Sequence, residues 1–161
     1  MTNNDILRRI RYALDIPDKV LVGCFKEFGY EIEVNQIRNM LKKENEVGYE
    51  KCNNKQLGMF LDGYIIYKRG REEVKPGEEP KKRVELTGNN LNNLILRKIK
   101  IALNLKSEDM LNIFHCAGVN VSVSELRSLF RKPGHKNYKE CLDSYLRNFL
   151  KGLTIYYRGN K

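Results

Sequence analysis

Apolar residues recur along most of the chain with the spacing of amphipathic helices. In the opening segment the apolar positions are Ile6, Ile10, Ala13 and Leu14. These positions share one face of a helix, because the α-helix repeats every 3.6 residues. Residues 95–103 show the same spacing. The pattern therefore predicts two equivalent amphipathic helices, one early in the chain and one past its midpoint.

Two more helices are predicted after each of these segments. The apolar spacing indicates one helix near residues 18–28 and another near 107–117, and they stop at Gly29 and Gly118. Glycine suits the left-handed position that ends many helices. The helix that comes next is marked in the second half by Ser122-Val-Ser-Glu125, which has the spacing of a capping box.

A fourth helix closes each set. Asn54 and Asp143 stand at equivalent positions ahead of apolar residues at helical spacing, so we expect them to be N-caps. These helices are predicted to end at Gly70 and Gly159. No stretch alternates between apolar and polar residues for long enough to form a strand. The chain is therefore predicted to be all-α, with about eight helices.

The two sets of four helices are copies of each other. A shift of 89 residues aligns residues 3–70 with 92–159 without a gap, and 23 of the 68 aligned residues are identical. The segment between them is charged and contains the helix breakers Pro76, Gly77, Pro80 and Gly88. We predict a first repeat over 1–70, an exposed linker over 71–90 and a second repeat over 91–161. Two small repeats are expected to pack about a pseudo-two-fold axis, since neither buries a large core alone.

Several short motifs occur in both repeats. They are ILRxIxxAL, FxxxG, a GYxxC or NYxxC loop, LxxFLxG and a closing YKRG or YYRG. In this combination the chain resembles the YehS-like bacterial proteins, a family of tandem domains of unknown function. The resemblance covers both repeats and implies the tandem helical fold, but it brings no activity, cofactor or substrate. The chain departs from the pattern at Asn137, which replaces the glycine before Tyr138.

Composition narrows the class of protein. The chain has 161 residues, of which 41% are hydrophobic and 31% are charged. No apolar run approaches the ~20 residues that cross a bilayer, and the amino terminus lacks the apolar core of a secretion signal. The cysteines are widely separated, which does not suggest a disulfide framework: Cys24, Cys52, Cys116 and Cys141. We expect a cytoplasmic protein with reduced thiols that does not enter a membrane.

Positive charge is the strongest functional signal. The net charge is +10, a balance that favours polyanionic partners. Residues 1–70 carry 12 basic and 10 acidic residues, whereas residues 91–161 carry 13 and 5. Seven aligned pairs are basic in both repeats, and no acidic residue aligns with another. The second repeat is therefore predicted to be the half that faces an anion.

The basic pairs predict a phosphate-contacting surface. On a helical wheel the basic positions of the first helix of each repeat point away from the apolar stripe. Together with the basic residues after the third helix of the second repeat, the predicted contacts are Arg8, Arg9, Arg11, Arg97, Lys98, Lys100, Arg131 and Lys132. We expect DNA or RNA as the partner, without distinction between them. Two alternatives stay open: a solvated face that only maintains solubility, and an adaptor whose paired repeats form a groove for an acidic protein.

A helix-turn-helix interpretation is also open for the second and third helices. The outward face of the third helix would present polar residues to base edges. These are Asn35, Gln36, Asn39, Lys42 and Lys43 in the first repeat, and Ser124, Glu125, Ser128, Arg131 and Lys132 in the second. Against it, the connection after the glycine is longer than the usual tight turn, and Glu125 would repel phosphate.

Enzymatic and metal chemistry find little support. A zinc site built from His115, Cys116, His135 and Cys141 lacks the usual short ligand spacing, and only the last cysteine has a counterpart in the first repeat. Cys52 and Cys141 precede predicted helix N-termini, which can activate a thiol, but no repeated histidine could serve as base. There is no phosphate-binding loop or hydrolase motif. We expect no enzymatic activity, no metal and no cofactor. The oligomeric state stays open.

Tyrosines gather with cations at the end of the fourth helix of each repeat. They are Tyr64, Tyr67, Tyr156 and Tyr157, beside Lys68, Arg69 and Arg158. Tyrosine beside arginine can stack on unpaired bases. At helical spacing among Leu and Ile, however, tyrosine more often completes a core with its hydroxyl at the edge. We favour the core interpretation for these four residues.

Overall fold

The computed structural model describes residues 1–71, 73–79 and 84–159. Within these ranges the chain forms α-helices, one short 3₁₀-helix and no strands, which confirms the all-α prediction. The first repeat contains α1 (Asn3–Leu14), α2 (Asp18–Lys26), α3 (Val34–Met40) and α4 (Asn54–Arg69). The 3₁₀-helix Gly88–Asn90 precedes the second repeat, which contains α5 (Leu91–Ala102), α6 (Ser107–Cys116), α7 (Val123–Leu129) and α8 (Asp143–Arg158).

Polar side chains cap several of these helices at their amino ends. Ser122 caps α7 as expected, because its side chain accepts a hydrogen bond from the backbone N–H of Glu125. The N-caps of the fourth helices were predicted one residue too late. Asn53 caps α4 and forms a reciprocal capping box with Gln56. Leu142, which has no side-chain oxygen, holds the equivalent position at α8, so Asp143 lies inside the first turn.

Residues with positive φ angles separate the helices. Gly29 and Gly118 have φ angles of +74° and +78°, and they follow the last residues of α2 and α6 by two or three positions. Asp15 and Asn104, which follow α1 and α5, are left-handed despite their side chains. Short polar residues tolerate this conformation better than other L-residues do. The connections therefore reverse direction at equivalent places in both repeats.

The two repeats exchange their first helices. Inside each repeat, α2 packs along α4 and α6 packs along α8. The longest faces of α1 and α5, however, lie against the other repeat, because α1 packs along α8 and α5 packs along α4. The amino end of α1 still contacts its own repeat, where Asn4 donates to the carbonyls of Met40 and Glu50. The pseudo-two-fold body is therefore intertwined rather than two units set side by side.

The first and last helices of each repeat, α1, α4, α5 and α8, all run in the same direction. At one end, Asn3 Nδ2 donates to Asn54 Oδ1 at 2.8 Å, which joins the amino ends of α1 and α4. The equivalent bond from Asn92 to Asp143 is 2.7 Å long and joins α5 to α8. At the other end, Arg158 of α8 donates to the carbonyl of Tyr12 in α1. The carboxyl ends of all four helices consequently meet at one pole of the molecule.

Two glycines allow the closest helix crossings. A Cβ on Gly63 of α4 would overlap the backbone carbonyl of Cys24 in α2, and a Cβ on Gly152 of α8 would overlap that of Ile113 in α6. These equivalent contacts bring the backbones together beside buried phenylalanines: Phe25, Phe60, Phe114 and Phe149. The repeated LxxFLxG motif is therefore a packing motif, in which Phe fills the core and Gly lets the neighbouring helix approach.

The linker returns the chain from one pole to the other. It leaves the carboxyl end of α4, where Arg71 pairs with Glu27, and arrives beside Asn54 at the amino end of α4. Most of its described residues are exposed, as predicted, but Leu86 is buried against Gly58. Pro80, one of the predicted helix breakers, lies outside the described residues. No helix in the described ranges is both long and apolar enough to span a membrane.

Candidate nucleic-acid interface

A buried asparagine in each repeat ties the first helix to the loop before the fourth. Asn93 of α5 donates to the carbonyls of Leu129 and Lys139 at 2.8 and 2.9 Å, and its Oδ1 accepts from Cys141 N and Tyr138 Oη. Asn4 makes the same four bonds in the first repeat. This network fixes the end of α7 against α5, where basic residues converge.

Five cations lie at that junction in the second repeat. They are Arg97, Lys100, Arg127, Arg131 and Lys132, hereafter the second-repeat basic cluster. Arg97, one helical turn after Asn93, donates to the carbonyl of Phe130. Lys100 Nζ lies 5.7 Å from the centroid of the Phe130 ring. Arg127, Arg131 and Lys132 are exposed around them. Four of the five are among the predicted phosphate contacts. The fifth, Arg127, is an exposed residue of α7.

Three of the five equivalent cations in the first repeat are paired with two aspartates. Asp5 pairs with Arg8. Asp18 lies 3.9 Å from Arg11 and 3.3 Å from Arg38. In the second repeat these two aspartates are replaced by Leu94 and Ser107. No ion pair joins the second-repeat basic cluster to any carboxylate in the described part of the chain. Two of the carboxylates that distinguish the repeats are therefore absent from the surface of the second-repeat basic cluster.

Lys98 does not belong to this surface, contrary to the prediction. Its side chain is only 6% exposed, and Nζ lies 2.6 Å from Asp62 Oδ1 of α4. The helical wheel treated α5 as a helix with one buried face. In the structure α5 packs against its own repeat at its amino end and along α4 over most of its length, so a second face is also covered. Lys98 lies on that second face.

The predicted basic stripe on α1 is also less available than expected. Arg8, Arg9 and Arg11 are each half-buried. Arg8 donates to the carbonyl of Lys42 besides pairing with Asp5. Because Arg8 and Arg11 are already paired with aspartates, the α1 stripe can attract a polyanion less strongly than the second-repeat basic cluster can.

The helix pairs α2–α3 and α6–α7 differ from the usual helix-turn-helix in two respects. The connections span residues 27–33 and 117–122, which is longer than the three- to four-residue turn of that motif. The would-be reading helices, α3 and α7, have only 7 residues each. Gln36, a proposed base contact, is held by Tyr30 and Glu50. This geometry does not favour base reading in a groove.

The repeated cysteines are buried parts of the asparagine network. Burial raises the pKa of Cys52 to about 12, and burial together with Asp143 and Glu140 raises that of Cys141 to about 12. An activated thiol needs a lowered pKa, so the helix-end position gives no nucleophile. No group of three or more His, Cys, Asp or Glu residues in the described ranges is arranged to hold a metal ion.

The tyrosines at the pole where the helices end divide into two groups. Tyr64 is buried, and burial raises its pKa to about 12, which fits the predicted core role. Tyr67, Tyr156 and Tyr157 are 61%, 42% and 43% exposed, so the core interpretation is wrong for them. Beside them lies a cavity of about 390 Å³. This C-terminal cleft is lined by Ala13, Leu14, Asp15, Tyr64, Lys68, Leu103, Tyr157 and Arg158.

The family described as "Protein of unknown function (DUF1456)" matches the chain twice, over residues 3–70 and 92–159. The chain belongs to this family. It is also 40% identical over 154 residues to the uncharacterized protein YehS of Escherichia coli (strain K12), a match that covers 96% of this chain and 95% of YehS. No solved structure matches the chain. The comparisons confirm the tandem helical repeat and supply no activity that could be transferred.

Sequence reasoning missed the asparagines and the aspartates that shape this interface. Asn3 with Asn4 and Asn92 with Asn93 form an identical dipeptide in both repeats, and this was the available signal for a shared buried network. The aspartates were visible as positions where alignment pairs Asp with Leu or Ser. Their pairing with particular arginines could not be seen, because those contacts depend on how the loops fold.

Proposed function

We propose that this protein is a non-enzymatic cytoplasmic protein that binds nucleic acid through the second-repeat basic cluster. The observation that carries the proposal is the replacement of Asp5 and Asp18 by Leu94 and Ser107. Those two changes leave unpaired, in the second repeat, the cations that are neutralised in the first. A solvated face that only maintained solubility does not require cations without paired carboxylates on one repeat alone.

The chemistry of the cluster suits phosphates. Arginine guanidinium groups bind phosphate oxygens in a bidentate manner, and lysines add point charges. Arg97 and Lys100 are oriented by the Phe130 carbonyl and ring, which reduces the side-chain entropy that a contact must overcome. Contacts of this type give affinity that is independent of sequence and falls steeply with salt, because each one releases condensed counterions.

The test compares two matched triple variants. The first, R97A/R131A/K132A, removes exposed members of the cluster and leaves the buried Lys98 intact. The second, R8A/K42A/K43A, changes the aligned positions of the first repeat. Fluorescence anisotropy with labelled duplex DNA and structured RNA, from low to moderate salt, measures affinity and salt dependence. We expect the first variant to bind more weakly, with a log–log salt slope shallower by about 0.7–0.9 per lost contact.

The first-repeat variant should lose less affinity, because Arg8 is paired with Asp5 and Lys42 donates to the carbonyl of Val47. Equal losses in both variants, at unchanged thermal stability, would contradict the assignment to the second repeat. An acidic protein would meet the same charges, so poly-glutamate serves as a polyanion without phosphates. Tight binding of poly-glutamate with none of DNA or RNA would replace the proposal by the adaptor.

A further inference from the structure

We propose that the C-terminal cleft holds unpaired bases of a single-stranded polynucleotide. This inference rests on the proposed function and adds the state of the nucleic acid that the protein prefers. The cleft is formed by both repeats, because its lining residues come from the ends of α1 and α4 in the first repeat and of α5 and α8 in the second. Its volume of about 390 Å³ lies within the range of small-molecule pockets.

The exposed tyrosines of this pole differ from the others in their hydroxyl groups. The tyrosines elsewhere in the described chain use their hydroxyls: Tyr49 and Tyr138 donate to the buried asparagines, Tyr145 donates to Glu125, and Tyr30 accepts from Gln36. No hydrogen bond within the described residues holds the hydroxyl of Tyr12, Tyr67, Tyr156 or Tyr157. These four are the tyrosines with the largest exposed fractions, from 42% to 61%. Of these four, Tyr157 lines the cleft, Tyr156 contacts Tyr157, and Tyr12 contacts the lining residue Arg158.

Two exposed rings border the cleft or the space next to it: Tyr157 lines the cleft, and Tyr67 lines a smaller adjoining cavity that shares Leu14, Asp15, Tyr64 and Lys68 with it. Tyr156 and Tyr157 meet edge to face with centroids 5.2 Å apart, and Tyr67 lies 5.9 Å from the buried Tyr64. The guanidinium carbon of Arg158 lies over the ring of Tyr12, 4.3 Å from the centroid of that ring. Successive bases stack on such aromatic surfaces with little regard to sequence, since every base has a π-face.

The polar groups of the cleft can bind both the bases and the phosphates of a polynucleotide. Lys68 and Arg158 line the cleft, and its carboxylate is Asp15, which lies 3.6 Å from Arg158. Lys68 forms no ion pair with any described residue, so the lining retains positive charge. Four helices end at this pole, and the last carbonyls of a helix lack partners inside it. Carbonyls and Asp15 can accept hydrogen bonds from N–H groups of bases, while Lys68 can contact a neighbouring phosphate.

The experiment measures binding of three labelled probes: a short oligo(U) RNA, an oligo(dT) of equal length and a duplex of equal length. The unmodified full-length protein is compared with Y67A/Y156A/Y157A and with Y67F/Y156F/Y157F. We expect the unmodified protein to prefer a single strand, and the alanine variant to lose about tenfold or more of that affinity. The phenylalanine variant should retain it, because stacking requires the ring and not the hydroxyl. The two single-stranded probes decide between RNA and DNA.

The outcomes separate this inference from the proposed function. The alanine variant should keep its salt slope and its duplex affinity, because the second-repeat basic cluster is unchanged. If it binds single strands as tightly as the unmodified protein does, the cleft holds no bases, although phosphate binding stands. If the unmodified protein binds none of the probes, both the inference and the proposed function fail. Far-UV circular dichroism confirms that the variants are folded.

Discussion

At the residue scale, the most informative side chains are the two buried asparagines. Each satisfies two backbone carbonyls, one backbone N–H and one tyrosine hydroxyl, and so uses its whole hydrogen-bonding capacity. An amide is required here, because a carboxylate could not donate to the two carbonyls and an apolar residue would leave four polar groups without partners. In the second repeat the same asparagine sets the position of α7, and with it the cations around Phe130.

We expect N93A to lower the free energy of unfolding by about 2–4 kcal/mol, because buried polar groups left without partners cost roughly 1–3 kcal/mol each. Urea unfolding followed by circular dichroism gives the value. The matched control is N35A, which changes an exposed asparagine of α3 and should shift stability by a few tenths of a kcal/mol. A loss equal to that of the control would show that water or rearranged loops replace the network.

At the scale of elements, the helices are specified locally but their contacts depend on glycine. Gly63 and Gly152 sit where a side chain would strike a neighbouring backbone carbonyl, whereas Gly58, on the same helix as Gly63, would place a Cβ 3.5 Å from Leu86. Glycine ordinarily weakens a helix by about 1 kcal/mol relative to alanine. Gly63 and Gly152 therefore weaken their helices, but they allow the neighbouring helices to pack closer.

Alanine should lower the stability of the protein at Gly63 and Gly152 but not at Gly58. G63A and G152A should each destabilise the protein by roughly 1–3 kcal/mol, since the crossing must open against a backbone atom. G58A should be neutral or slightly stabilising, because the new methyl makes an ordinary contact and improves helix propensity. Thermal unfolding of the three variants tests this order. Stabilisation by G152A would mean that α6 and α8 can separate without loss.

Sequence periodicity predicted the helices well and their partners poorly. The spacing of Ile95, Ile99 and Ala102 shows that α5 has an apolar face, but nothing in it says that α4 of the other repeat covers a second face. Lys98 was placed on the surface for that reason. The exposed tyrosines were misjudged in a similar way, because helical spacing beside Leu and Ile looks the same whether a helix end is covered or open.

At the scale of the whole molecule, the exchanged helices make the repeats interdependent. A chain of residues 1–70 would lack α5, which packs along α4. A chain of residues 91–161 would lack α1, which packs along α8. The buried Lys98–Asp62 pair also makes the two halves inequivalent, because position 151 of α8, which aligns with Asp62, is lysine. Two second repeats paired with each other would therefore set Lys98 against Lys151, which disfavours that association.

We expect neither repeat to unfold cooperatively as a monomer, and we expect an equimolar mixture to form a folded one-to-one complex. The first repeat alone should self-associate more readily than the second, because Arg9 would then face Asp62. Circular dichroism with analytical ultracentrifugation measures folding and mass together. A monomeric second repeat with a cooperative transition would contradict the interdependence.

The pairing of α1 with α8 also bears on how the protein is made. Helix α1 is made before α8, the helix that packs along its long face. Until α8 emerges from the ribosome, the apolar side of α1 stays uncovered or contacts chaperones and temporary neighbours. A chain released before residue 143 would keep that side uncovered and become a substrate for proteases. Synthesis of α8 thus completes the packing that α1 begins.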